Sequence, residues 1–299
     1  MKPSDYSLKK NWRGYLLVLP ACAAIICIAI YPMIYGISLA FKNYSLTHSV
    51  NSEFDTFIGL ENFLTVFQQA DFIQASFNTV FWALMNVVTQ VVLAVLIALM
   101  LNKPIKARGF FRTAALLPWA IPSVIAALTF RFLYDTNVGI LNIILERLNI
   151  IQSGISFLGN IDTARWAVVF ESIWKGTPFV MIFVLAALQS VPNELYESAL
   201  ADGAGKVRTF FSITLPCIKD TLGIATILTT IGTINNFNAV WLMTQGGPLG
   251  TTEILFTYAY KRAFNAYNFG EAAAVSVIIF LVIVLLTFFY TKLIEEKEE

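Results

Sequence analysis

Residues 14–41 contain no charged side chain, and neither do residues 72–102. About 20 consecutive apolar residues suffice for a helix to cross a bilayer. Two charge-free runs longer than that leave a chain little choice but lipid. Four further apolar segments follow: between Arg112 and Arg131, at about 166–190, within 217–243 and within 270–291. In hydrocarbon every backbone N–H and C=O must be paired within its own segment, so these runs are helices. The expected architecture is all-α, a polytopic membrane protein with six spans at about 14–41, 77–101, 113–134, 166–190, 217–243 and 270–291. Pro118 and Pro122 fall inside the third span and kink it, so neighbouring helices must satisfy the freed carbonyls. Lys9, Lys10 and Arg13 before the first run imitate a signal peptide. The run is too long for one, and the first helix is expected to stay uncleaved.

Orientation follows from lysine and arginine. With both ends on the inner side, the inner segments hold Lys2, Lys9, Lys10, Arg13, Lys103, Lys106, Arg108, Arg112, Lys206, Arg208, Lys219, Lys292 and Lys297. The outer segments hold only Lys42, Arg131, Arg147, Arg165, Lys261 and Arg262. Both ends are therefore expected in the cytoplasm, with outer loops at 42–76, about 132–165 and 244–269. None of these is long enough for a separate domain, so residues 1–299 read as one transmembrane domain ending in a solvated tail, Glu295–Glu299.

Several chemistries are excluded. Charged residues make up 13% of the chain and the net charge is +1. No basic stripe exists for nucleic acid. Cys22, Cys27 and Cys217 lie in or beside apolar segments, with neither disulfide nor metal spacing. His48 is the one histidine. It sits in a polar loop, where it is solvated and cannot complete a Ser/His/Asp triad or a His-based metal site. Gly203-Ala204-Gly205-Lys206 imitates a phosphate loop, but Leu200 and Val207 stand where that loop needs glycine and a hydroxyl residue. This chain is not expected to be an enzyme or to bind ATP.

The longest charged segment between apolar ones is 192–216. It reads as a short helix, a glycine turn and a second short amphipathic helix. Asn193 is placed to cap the first helix, Glu194 and Glu197 complement its dipole, and Gly203 and Gly205 permit the reversal. Pro216 marks the start of the next element. Such a unit suits a groove on a soluble partner.

These residues carry a resemblance. Glu197-Ser198-Ala199, three residues, Gly203, nine residues, then Ile213-x-Leu215-Pro216 resembles the coupling signature of ABC-importer membrane subunits; Ser198 replaces the usual alanine. Further pieces resemble the sugar branch of that family, of maltose and glycerol-3-phosphate type. They are Gly59-Leu60-Glu61-Asn62-Phe63, Asn78-Thr79, Phe111-Arg112 with Leu117-Pro118, Gly246-Gly247-Pro248, Thr252, and Tyr258-x-Tyr260-x-x-Ala263-Phe264. The resemblance implies a type I ABC importer permease fold in a prokaryotic cell (inner) membrane. It implies a cytoplasmic ATPase dimer that supplies ATP and Mg2+, a second permease subunit and an external substrate-binding protein. Glu194, Glu197, Ala199, Asp202, Gly203 and Pro216 would then serve ATPase coupling, with Glu197 meeting a basic group of the ATPase.

Polar residues in the spans suggest the cargo. Ser172, Gly176 and Phe179 share one face of the fourth span, and Thr229, Thr233 and Asn236 have the same spacing in the fifth. Hydroxyls and amides pair with sugar OH groups, and rings stack on sugar C–H faces. Helix packing by small and polar residues explains the same pattern. Asn235, Asn238 and Trp241 rank second, while Asn86 and Gln90 read as interhelical glue. Glu171 and Lys175 stand at i, i+4, either as a structural pair or lining a polar pathway, with Lys175 the deeper. The expected function is ATP-coupled import of a sugar or oligosaccharide. Alternatives are another solute, such as glycerol-3-phosphate, phosphate or an amino acid, or an ion-coupled carrier relying on Glu171 and Glu271.

Overall fold

The computed structural model describes residues 12–46 and 55–295. His48, the amino-terminal lysines and Glu296–Glu299 lie outside the described residues. The chain forms two compact units: one comprises Met1–Phe67 and Lys261–Val277, the other Gln68–Tyr260 and Ile278–Glu299.

In the first unit, α1 (Trp12–Ile25) passes through a π-helical turn, Ile26–Ile30, into α2 (Tyr31–Leu39). The turn ends just ahead of Pro32, and Tyr31 N–H donates to Ile26 O, five residues back. A proline within an α-helix clashes with the carbonyl four residues earlier and donates nothing, and a wide turn relieves both faults. The only sheet among the described residues pairs β1 (Lys42–Asn43) antiparallel with β2 (Thr56–Phe57). Asn62, near the start of α3 (Glu61–Gln68), is buried and donates to Ala40 O and Lys42 O, both at 2.9 Å. Those acceptors lie just after the first span and in β1, which explains the asparagine in the Gly59–Phe63 motif. A Cβ on Gly270 would lie 2.5 Å from Lys42 O, so that approach requires glycine.

The second unit is built on α4 (Ala70–Asn102), α5 (Arg108–Ala120), α6 (Ser123–Leu133), α7 (Ile140–Arg147) and α8 (Ile161–Ser190). It continues through α9 (Asn193–Ala201), α10 (Lys206–Thr209), a π turn at Phe210–Thr214, α11 (Leu215–Ile234) and α12 (Phe237–Met243). The last helices, α13 (Leu255–Phe264) and α14 (Phe269–Glu295), each contribute to both units. Five helical segments of the described chain are long and apolar enough to cross a membrane, and α5 with α6 supplies a sixth if the bent pair counts as one span.

That third span is broken more sharply than a kink. Its halves meet at 90°, with Ile121 extended (φ −71°, ψ 132°) ahead of Pro122. The residue before a proline is forced out of the helical region. Pro118, by contrast, stays inside α5. The fifth span also departs from expectation. Helix runs from Lys206 through the π turn into α11, breaks at Asn235–Asn236 and resumes as α12. Pro216 thus stands at the start of α11, as expected, although the helix runs into α11 through the π turn without a break. The proline is the second residue of α11, and Leu215 N–H donates to Phe210 O as Tyr31 does to Ile26.

α4 and α8 form the central pair of this unit. Between apolar helices in lipid there is little hydrophobic drive, so close packing and polar contacts hold them. Ala94 and Ala98 of α4 pack with Val180, Met181, Val184 and Leu188 of α8, together with Ile218 of α11. Nearer the start of α8, Val168 and Val169 pack with Trp82 of α4, Phe130 of α6, Val240 of α12 and Ile254. The segment of α8 between these clusters, residues 172–179, borders a cavity.

Candidate functional site

The cavity has a volume of about 340 Å³ and is lined by Gln90, Trp119, Ser172, Lys175, Gly176, Phe179, Leu228, Thr229, Gly232, Thr233 and Asn236. All seven pathway residues expected from sequence (Ser172, Lys175, Gly176, Phe179, Thr229, Thr233 and Asn236) stand on this one wall. Four elements supply it: α4, α5, α8 and the α11–α12 region.

Each polar position has a local cause. Asn236 is not on a continuous helical face: α11 ends at Ile234, and Asn236 caps α12, accepting weakly from Ala239 N–H at 3.5 Å. The break turns its side chain to Ser172, whose Oγ accepts from Asn236 Nδ2 at 3.4 Å. The break itself is held from α4, because Trp82 Nε1 donates to Thr233 O at 2.9 Å. Thr229 Oγ1 donates to Ala225 O at 2.7 Å, leaving its lone pairs as acceptors toward the cavity.

Gly176 permits the approach of α4 to α8. A Cβ there would lie 2.4 Å from Gln90 Oε1, which is far inside contact distance. Gln90 is glue, as expected, donating to Asn86 Oδ1 at 3.3 Å and Ser172 O at 3.2 Å. It also lines the cavity, which its sequence position did not reveal. The aromatic component is Phe179 with Trp119, ring centroids 6.2 Å apart. Trp119 was missed because a tryptophan beside two prolines in a broken span carries no periodicity, and Leu228 and Gly232 carry no chemical signal.

Of the two readings open for Glu171 and Lys175, a structural pair or groups lining a pathway, the structure shows no ion pair between them and places Lys175 on the cavity wall. Lys175 Nζ turns to Ile121 O, 2.5 Å away, satisfying the carbonyl freed at the break of the third span. Glu171 is 1% exposed, and its Oε2 has no hydrogen-bond partner. The i, i+4 spacing permitted contact, but the unpaired carbonyl across the cavity wall is the partner Lys175 takes. Asn238 also belongs to the break, donating to Ser123 Oγ at 2.9 Å. Trp241 lines no part of the cavity; it stacks on Phe237 (5.3 Å) and contacts Tyr260 (4.6 Å).

At the other end of α8 the chain turns into the 192–216 segment. Pro192, not Asn193, occupies the cap of α9, and no side chain caps it. Glu194 lies in the first turn, and Glu194, Glu197 and Asp202 are all exposed. Ala199 is buried. Gly203 has φ +73°, with Gly203 N–H donating to Leu200 O and Ala204 N–H to Ala199 O. This is a Schellman stop, and it requires the glycine. Gly205 is extended (φ −71°, ψ 162°), so it is not needed for the reversal. The second short helix merges with the fifth span, making a continuous rod from Lys206 to Ile234.

Two motif pieces separated in sequence meet in space. Asn78 Nδ2 donates to Gly250 O (2.8 Å) and Glu253 O (2.9 Å), and Arg165 Nη2 donates to Asn78 Oδ1 (3.0 Å). Thr79 Oγ1 accepts from Leu255 N–H, and Thr252 Oγ1 donates to Gly247 O. The Gly246–Thr252 loop is thus latched to α4 and α8.

A family model described as binding-protein-dependent transport system inner membrane component matches residues 90–298. The trehalose/maltose transport system permease protein MalF of Thermococcus litoralis is 36% identical, over 93% of this chain and 92% of its own length. A chain of a bacterial ABC transporter involved in import of the acidic polysaccharide alginate superposes with a TM-score of 0.82 at 26% identity, covering 96% of both chains. A structure of bacterial alginate ABC transporter in complex with an alginate pentasaccharide-bound periplasmic protein gives 0.80 at 27% identity, covering 95% of this chain and 94% of that one.

Proposed function

Because this chain belongs to the family of binding-protein-dependent transport system inner membrane components, we propose that it forms part of the pathway of an ABC importer for a neutral sugar or oligosaccharide. The observation that carries the reading is the cavity wall. It combines amide, hydroxyl and aromatic groups, the mixture that pairs with sugar OH groups and covers their C–H faces. Its one cation, Lys175, is committed to Ile121 O. That favours a neutral cargo over phosphate or glycerol-3-phosphate.

The partners follow from the same premise. A second, similar permease subunit completes the pathway. An external binding protein delivers the sugar; the alginate transporter structure holds a periplasmic protein bound to an alginate pentasaccharide. Two ATPase subunits in the cytoplasm bind ATP and Mg2+ and grip α9 through Glu197 and its neighbours. Both ends of the chain lie on that side of a prokaryotic cell membrane. ATP-driven closure moves α9 as a near-rigid lever, because the Schellman stop fixes its angle to α10 and the rod behind it. The spans then switch between inward- and outward-facing states.

The test is reconstitution of the chain with its partner subunits and binding protein in liposomes, with a panel of labelled sugars. ATP-dependent accumulation of a neutral sugar that survives collapse of ion gradients is expected. Uptake that follows the ion gradient and ignores ATP would overturn the reading.

A further inference from the structure

A second concavity of about 850 Å³ shares no residue with the polar cavity. Its apolar wall includes Val95, Leu96 and Leu99 of α4 and Phe210 of the π turn, and its two charged residues are Lys103 and Lys206. No carboxylate lines it: Glu194, Glu197 and Asp202 all lie elsewhere. Leu96 is 53% exposed, an apolar surface that no part of this unit covers.

The placement of the lysines identifies the occupant. Lys103 directly follows α4, the span that ends at Asn102, and Lys206 opens the rod that becomes the fifth span. With these helices crossing a bilayer, Val95, Leu96, Leu99 and Phe210 lie at acyl-chain depth, the two ammonium groups lie at headgroup depth, and Tyr196 and Leu200 of α9 close the groove beyond them. Basic pockets between spans on the cytoplasmic side suit anionic headgroups. We propose that this groove holds an anionic phospholipid, its acyl chain on Val95, Leu96, Leu99 and Phe210 and its phosphate between Lys103 and Lys206. The inference rests on the membrane-spanning reading. A lipid held there bridges α4 to the turn that sets the coupling helix, and so links membrane composition to the lever.

The experiment is native mass spectrometry of the intact chain extracted in mild detergent, titrated with phosphatidylglycerol or phosphatidylcholine of identical chains. With two lysines near one anionic headgroup, the chain is expected to hold about tenfold more phosphatidylglycerol. K103Q/K206Q should abolish that preference, K103R/K206R should keep it, and L96W, which fills the apolar wall, should reduce binding of both lipids. An undiminished preference in K103Q/K206Q, or none in the unaltered chain, overturns the proposal. So does loss of ATPase capture by K103Q/K206Q with lipid binding unchanged, which would give the groove to the ATPase. The assay needs neither sugar nor ATP, so its failure and failure of the transport reading are separate results.

Discussion

Lys175 Nζ lies 2.5 Å from the backbone oxygen of Ile121, joining the middle of α8 to the break between α5 and α6. One side chain thereby satisfies the carbonyl that the extended Ile121 leaves without a helical donor, and fixes the edge of the cavity. Removing it leaves a carbonyl unpaired in a region where unpaired groups cost about 1–3 kcal/mol. Lys175→Met is therefore expected to lower the melting temperature of the purified chain as well as uptake. Uptake lost at unchanged stability would instead make Lys175 a direct ligand of the cargo.

Gly176 and Gln90 are coupled by contact. In Gly176→Ala the new methyl must displace the Gln90 amide and break its bonds to Asn86 and Ser172. The loss is expected at about 1–3 kcal/mol, as for other overpacked sites. Gln90→Ala added to it should recover part of that loss, since contacting residues are commonly non-additive by about 0.5–3 kcal/mol. A double-mutant cycle in denaturation checks this; strict additivity would deny the contact.

Gly203 and Gly205 should respond differently. Gly203 has a left-handed backbone, where a side chain costs about 1–2 kcal/mol, whereas Gly205 does not. Gly203→Ala is expected to weaken capture of the ATPase, while Gly205→Ala leaves it intact. Equal effects in a pull-down would show that the turn is not what the partner reads.

Asp135 gives the loop after α6 a pH dependence. Its carboxylate accepts from Val138 N–H (3.0 Å) and Asn137 N–H (2.9 Å), which hold its pKa below the ordinary aspartate value. A depressed folded-state pKa stabilises the loop above the ordinary value, about 4, and the contribution disappears as pH falls through the folded value. Amide exchange at Asn137 and Val138 should be protected at neutral pH and lose that protection in acid. Asp135→Asn should remove the pH dependence.

Much of this was legible in residue order, because lipid allows few solutions. Long apolar runs, two of them charge-free, marked the spans, Pro122 marked the broken one, and the demand for a donor at the freed carbonyl was foreseeable. The donor's identity was not. The Glu171–Lys175 spacing argued for a local pair, and only the path of α5 brings Ile121 within reach. Asn236 reached the cavity for a reason that helical spacing did not contain: the helix ends two residues before it. The coupling segment was readable because Gly203 announces a left-handed stop, while Gly205 looks identical in sequence and does something else. Trp119, and the part Gln90 plays in the wall, escaped notice because a cavity wall is defined by what faces it across helices, which one chain's order does not encode.

The central claim is that the cavity between α4, α5, α8 and the α11–α12 break binds the cargo. The most direct measurement is the initial rate of ATP-dependent sugar uptake by reconstituted importer bearing Asn236→Leu or Trp119→Ala, beside ATP hydrolysis in the same liposomes. Each change removes a cavity-facing group without touching α9. Losing a site's hydrogen bond or ring contact typically costs 1–3 kcal/mol, so uptake should fall about ten- to a hundredfold. ATP hydrolysis without sugar should persist. Uptake unchanged in both variants would contradict the assignment and return the cavity to helix packing.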